Sequence, residues 1–211
     1  MAEAQSVTTF MIGDAFPWQD ERACADEPGP LDSAVVYGPD FRRNCSIMKI
    51  SALGATLSGG LDGAPGDRLA MELATGQRAA GTVAWASGGN LGLGFSQPVD
   101  VLALINRKLV DQPAERRAMP RVEIRCEAAV KCGQDYLATT LRNISARGLQ
   151  LEGEVLPRPG SYVNVFIEGL NLPAGEVVWK RGRLAGIELL EELSWSSILP
   201  WIRERIRGLP K

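Results

Sequence analysis

No histidine occurs among the 211 residues. Serine–histidine and cysteine–histidine catalysis are thereby excluded, because no imidazole is available to take the proton. The four cysteines, Cys24, Cys45, Cys126 and Cys132, form no CxxC pair. That leaves no zinc-ligand spacing, and no metal or other cofactor is expected. The cysteines read as small apolar residues, reduced in a cytoplasmic protein. Long apolar runs are missing too: no stretch approaches the roughly 20 residues that cross a bilayer, so no membrane insertion is expected. Met1 to Ala15 has neither a basic n-region nor a sustained apolar run, so it does not read as a signal peptide. Charge of one sign is also scarce. The net charge of −2 argues against a general DNA or RNA binder, and a basic footprint has to be local. Gly92-Leu-Gly94-Phe-Ser-Gln97 lacks the last glycine of GxGxxG, and neither a GxxxxGK[ST] loop nor a GxSxG elbow occurs. With no acid–base or nucleophile set assembled, an enzyme is not expected.

A tandem repeat dominates the rest. Gly81-Thr-Val-Ala-Trp85 returns as Gly175-Glu-Val-Val-Trp179, a shift of 175 − 81 = 94. Ile50-Ser51-Ala52-Leu53-Gly54 returns at the same shift as Ile144-Ser145-Ala146-Arg147-Gly148. The same shift carries Leu57 onto Leu151, Gly66 onto Gly160 and Gly92-Leu93 onto Gly186-Ile187. No gap is needed from Glu21 to about Phe95. Two unrelated segments rarely match in this way at tryptophan and glycine, so the chain reads as a duplicated unit.

Each copy is mainly β. In the second, Glu127 to Lys131 and Tyr136 to Leu141 have strand composition, with a turn at Gly133-Gln134-Asp135. Leu149 to Glu152, Tyr162 to Ile167 and Gly175 to Trp179 alternate apolar and polar residues, and Leu184 to Leu189 supplies a last strand. Short strands at this spacing predict a closed or nearly closed small barrel. A helical pattern ends each copy, over Val99 to Leu109 and over Trp195 to Ile206. Pro98 suits a helix start, and Pro200 either kinks or restarts the second helix. The second stripe reads as a docking helix rather than a membrane face, and Trp85 and Trp179 read as packing residues. Residues 1–20 carry no pattern and are read as a disordered tail, 21–110 as the first domain, 111–114 as a linker and 115–211 as the second domain.

The second copy holds the sharpest motifs. Arg117-Ala-Met-Pro-Arg121 has the form RxxxR, and Asn143-Ile-Ser145-Ala-Arg-Gly148 follows with the form (D/N)xSxxG. Taken singly, linker arginines are a solvated surface, and Asn143 with Ser145 is a turn cap. In this order, with the Gly-x-Val-x-Trp strand after them, they resemble the PilZ family over about Glu115 to Ile206. The resemblance implies two tandem small antiparallel β-barrels, each followed by a helix, and a second messenger as ligand, cyclic di-GMP. It assigns ligand binding to Arg117 and Arg121, with Asn143, Ser145 and Gly148 at the barrel and Arg116 favouring an intercalated ligand pair. The chemistry agrees. Arginine grips phosphate through paired N–H bonds and pairs with or stacks on guanine. Asn143 offers a base edge both donor and acceptor. Ser145 offers a hydroxyl, and Gly148 lets the backbone turn without a side chain in the way.

The first copy has lost this set. At the 94-residue shift Arg117 falls on Ala23, Arg121 on Glu27 and Asn143 on Lys49, while Ser51 and Gly54 survive. Glu27 sets negative charge where a phosphate would sit, so the first copy reads as structural or partner-binding. The expected function is a cyclic di-GMP receptor in which ligand orders the polar segment Gln112 to Arg121. Ordering that segment would change the interdomain arrangement and so regulate a protein partner. The alternative is an adaptor that binds no nucleotide.

Overall fold

The computed structural model describes residues 8–12, 32–111 and 121–207. It divides into two units, with the boundary between Arg121 and Val122. In the first unit six strands run round in the order β2 (Asp32–Tyr37), β3 (Arg42–Ile50), β4 (Gly54–Ser58), β7 (Asn90–Phe95), β6 (Arg78–Ser87) and β5 (Arg68–Leu73). Each is antiparallel to the next, and β5 returns to β2. In the second unit β8 (Arg121–Cys132), β9 (Asp135–Ser145), β10 (Gly148–Glu152), β13 (Leu184–Leu189), β12 (Gly175–Arg181) and β11 (Tyr162–Phe166) close in the same sequence. Closure leaves neither sheet an open edge. Period two sends Val36, Ile47, Leu57, Met71 and Leu93 into the first core, all 3% exposed or less. Val122, Val130, Leu141, Ile144, Leu151 and Val177 fill the second, each fully buried.

The repeat extends to the irregularities. In the first barrel the ladder slips by one residue between Ile47 and Lys49 and again between Val83 and Trp85. In the second it slips at the shifted places, between Leu141 and Asn143 and between Val177 and Trp179. A bulge of this kind re-aims the next side chain. After the second slip in each barrel the tryptophan faces a glycine, Trp85 across from Gly92 and Trp179 across from Gly186. A Cβ on either glycine would fall 2.2 or 2.1 Å from the indole Nε1. These glycines are bare because an indole ring covers them.

Each barrel ends in a capped helix. Before α1 (Val101–Asp111), Asp100 Oδ1 accepts from the Ala103 amide at 3.0 Å. Before α2 (Trp195–Arg207), Ser194 Oγ accepts from the Ser196 amide at 3.2 Å. These caps set α1 two residues later than the apolar pattern alone suggested. The second helix runs unbroken across Pro200. It docks through buried Ile198, Trp201 and Ile202, and Trp201 Nε1 donates to the Glu168 carbonyl at 2.9 Å. No helix among the described residues is long and apolar enough to cross a membrane.

Two further boundaries differ from the sequence reading. Within residues 1–20, Thr9–Met11 form a strand, β1, parallel to β3, with Thr9 opposite Lys49 and Phe10 opposite Ile50. Phe10 and Met11 are buried, and Thr8 Oγ1 donates to the Ile47 carbonyl and accepts from the Asp32 amide, both at 2.7 Å. Three residues are too few for periodicity to reveal. Strand β8 begins at Arg121, six residues before the expected Glu127, because Val122 and Ile124 continue the buried alternation. Arg121 therefore opens a strand instead of ending a free arm. The rest of the expected arm, 112–120, lies outside the described residues.

Candidate functional site

The hairpin from Ser145 to Gly148 joins β9 to β10 with Ser145 directly opposite Gly148. Ser145 Oγ donates to the Gly148 carbonyl at 3.3 Å. Its counterpart Ser51 is fully buried, and its Oγ accepts from the amides of Leu53 and Gly54 at 3.1 and 3.2 Å. Both turns also anchor the chain that leads into the helix. The Leu193 amide donates to the Ala146 carbonyl and the Val99 amide to the Ala52 carbonyl, at 2.7 and 2.9 Å. Gly148 has its own structural cause, since a Cβ there would lie 2.6 Å from the Ile187 carbonyl oxygen on β13. The serine thus serves the turn in both copies, and the second copy's glycine serves the barrel.

The polar groups of the motif share the outer surface of β8, β9 and β10. Val122, Ile124, Ile144, Leu149 and Leu151 point inward. By alternation Arg121, Glu123, Asn143, Ser145 and Gln150 point out. Register strings five positions into one row across five strands: Glu123, Asn143, Gln150, Gly186 and Trp179. Asn143 and Gln150 are half-buried, and Asn143 Nδ2 donates to Gln150 Oε1. The bare Gly186 under its indole floors the far end. Gln150 and Glu123 were missed in the motif reading. Gln150 was within reach of it, because period two from Gly148 lands it on the same face.

Of the predicted ligand residues, Arg121, Asn143, Ser145 and Gly148 are described, while Arg116 and Arg117 lie outside the described residues. Desolvation lowers the Arg121 pKa although the residue is exposed overall. Arg147, inside the motif, faces carboxylates instead, with Glu192 at 3.6 Å and Glu188 at 3.9 Å. Arg142, the extra residue of the bulge before Asn143, pairs with Glu152 at 2.6 Å and holds that carboxyl below its ordinary pKa. Burial pushes the Cys45 thiol up to about 11 and raises Cys126, so neither is a thiolate near neutrality. Two shallow depressions, along Asn164 to Leu172 and between Gly169 and Pro200, include no motif residue.

The matching row of the first barrel is Thr9, Lys49, Thr56, Gly92 and Trp85. Its centre is an ammonium beside a small hydroxyl, and Thr56 is 3% exposed. Strand β1 pairs with Lys49 where β8 carries Glu123 opposite Asn143 in the second barrel.

Residues 115–198 match the family model of the PilZ domain. Among solved structures the chain is similar to Borreliella burgdorferi PlzA in complex with c-di-GMP, at 12% identity over 82% of this chain and 86% of that one, with a TM-score of 0.33. It is similar to the Bacillus subtilis inhibitor of motility MotI/DgrA at 11% identity, over 85% and 98%, with a TM-score of 0.31. For Escherichia coli YcgR in complex with c-di-GMP the values are 13%, 84% and 83%, and 0.28. No curated protein matches the sequence.

Proposed function

We propose, for a chain whose residues 115–198 are a PilZ domain, that the second barrel is a non-catalytic receptor for cyclic di-GMP. The observation that carries the reading is the contrast at one row. Asn143 sits half-exposed beside Gln150 downstream of RxxxR, whereas the first barrel has Lys49 beside a buried Thr56 on the same frame. Cyclic di-GMP has two phosphates and two guanines. Arg116, Arg117 and Arg121 would hold the phosphates and stack on the bases, and Asn143 would read a guanine edge. The segment 112–120 joins the two units, so clamping it would alter their arrangement and signal to a protein partner. Calorimetric titration of the full chain tests the reading. We expect saturable binding of cyclic di-GMP, and Arg121→Ala should weaken it roughly ten- to a hundredfold, the loss of one charge-assisted contact. A flat titration of the folded wild-type chain removes the receptor function.

A further inference from the structure

The outer face of the second barrel carries three large aromatic side chains that its core does not use. On β11, Tyr162 and Phe166 are 66% and 50% exposed, and on β9 Tyr136 is 64% exposed. Phe166 stands in one row with the small side chains of Ala129 and Ala138. Tyr136 stacks on it across β8, with ring centroids 6.2 Å apart and planes inclined by 29°. The Lys131 ammonium lies over the Tyr136 ring at 5.3 Å. Carboxylates border this platform. Glu176 is directly opposite Tyr162. Exposed Glu127 and Glu168 lie past Ala129 and Phe166 at one end, and Glu168 pairs with Arg205 at 3.3 Å. Soluble proteins seldom leave large apolar groups clustered in the open unless something docks there.

The first barrel carries the opposite charge on the same frame. At the 94-residue shift Tyr136 falls on Arg42, Tyr162 on Arg68, Phe166 on Glu72 and Lys131 on Tyr37. Arg42 and Arg68 are exposed, as is Arg78 opposite Glu72. Arg42 and Arg78 each set a guanidinium 5.6 Å from the centre of the Tyr37 ring, and Arg78 Nε is 3.1 Å from Glu72. One face is thus aromatic with a carboxylate border, and the other is rich in arginine. A guanidinium stacks on aromatic rings and pairs with carboxylates, and both contacts strengthen when water is excluded. Aromatic residues and arginine are also enriched where proteins meet.

We infer that the arginine face of one copy docks on the aromatic face of a second copy, so that the chain associates with itself through unlike surfaces. Arg42 and Arg68 of one molecule lie over Tyr136, Tyr162 and Phe166 of the other, with Glu127 and Glu176 as acceptors for their N–H groups. Each copy offers one face and receives the other. The contact needs no nucleotide and does not depend on the receptor reading.

Sedimentation of the nucleotide-free full-length chain, in a concentration series reaching about 300 μM, tests this. The wild-type chain should gain mass as concentration rises. Arg42→Glu combined with Arg68→Glu reverses the first face. Tyr162→Thr combined with Phe166→Thr strips the second and keeps strand preference. All four positions are exposed, so both variants should fold, and each should weaken self-association at least about tenfold. An equimolar mixture of the two should associate again, because one variant still offers the aromatic face and the other the arginine face. A wild-type chain that stays monomeric throughout overturns the inference and leaves the aromatic face to a partner of another kind. Wild-type association in either variant also overturns it, as does a mixture that stays monomeric.

Discussion

Two rows of five residues, one on each barrel, share a frame and differ in the side chains they carry. Both rows end in a tryptophan laid over a glycine, and both are interrupted by the same two bulges. Both barrels keep a serine–glycine turn that receives the chain entering the helix. They part in the middle and at the near end. The second barrel has an amide pair there and a strand that opens on Arg121. The first has Lys49 and a buried Thr56, with β1 paired in parallel at Lys49. Between these two barrels the serine–glycine turn is kept, and the first motif position is where they differ, Asn143 against Lys49.

The sharpest way to break the comparison is to remove its cationic side. Arg117→Ala combined with Arg121→Ala should cost cyclic di-GMP binding at least about a hundredfold, because two charge-assisted contacts of roughly 1.5–3 kcal/mol go together. Full affinity in calorimetry would show that the face around Asn143 binds without them. Next in size is β1, a strand that among the described residues has no counterpart in the second barrel. Phe10 is 2% exposed, and Phe10→Ala should lower stability by about 3–5 kcal/mol in denaturant unfolding. A loss below about 1 kcal/mol would mean that β1 is an ornament of the first barrel rather than part of it.

The shared frame predicts equal effects. Gly92→Ala and Gly186→Ala each drive a Cβ into an indole, and each should destabilise by about 1–3 kcal/mol in chemical unfolding. A clear difference between the two would mean that the tryptophans are not equivalent. Smallest is the response to acid. Arg142 holds the folded-state pKa of Glu152 below its ordinary 4.5, the hydrogen bond contributing most. A lowered folded pKa stabilises above the unfolded value, and that contribution fades as pH falls below about 4.5 through the lowered value. Tyr37, then Arg78, do the same for Glu72 in the first barrel. Both carboxylates are about one-third exposed, so solvent screening keeps the effect slight. Unfolding midpoints followed from pH 6 to pH 3 should fall a little less steeply in Glu152→Gln than in the wild-type chain.

The barrels were legible because glycine and tryptophan spacing exposed the repeat, and alternation then located the strands in the second copy and the matching ones in the first. What stayed hidden was short or crossed between strands. Thr9–Met11 is held by burial and by the Thr8 hydroxyl, neither of which leaves a period. Asp100 and Ser194 are helix caps, and apolar patterning passes over them. Gln150 depends on register, which appears only once β9 and β10 are paired. Gly148 was read as a bare position beside the ligand, and the structure gives it a separate cause in the Ile187 carbonyl, which pattern could not reveal.

The indole over Gly186 also makes the second barrel its own optical probe. Trp179 closes the row that runs through Asn143 and Gln150, so a base stacked on that face would alter the light its ring emits. Trp85 rests on Gly92 in the same posture on a frame without the amide pair, and supplies an internal reference for the same measurement. Replacing each with phenylalanine in turn would separate its share of the emission from that of Trp18, Trp195 and Trp201, and occupancy could then be followed without attaching a dye.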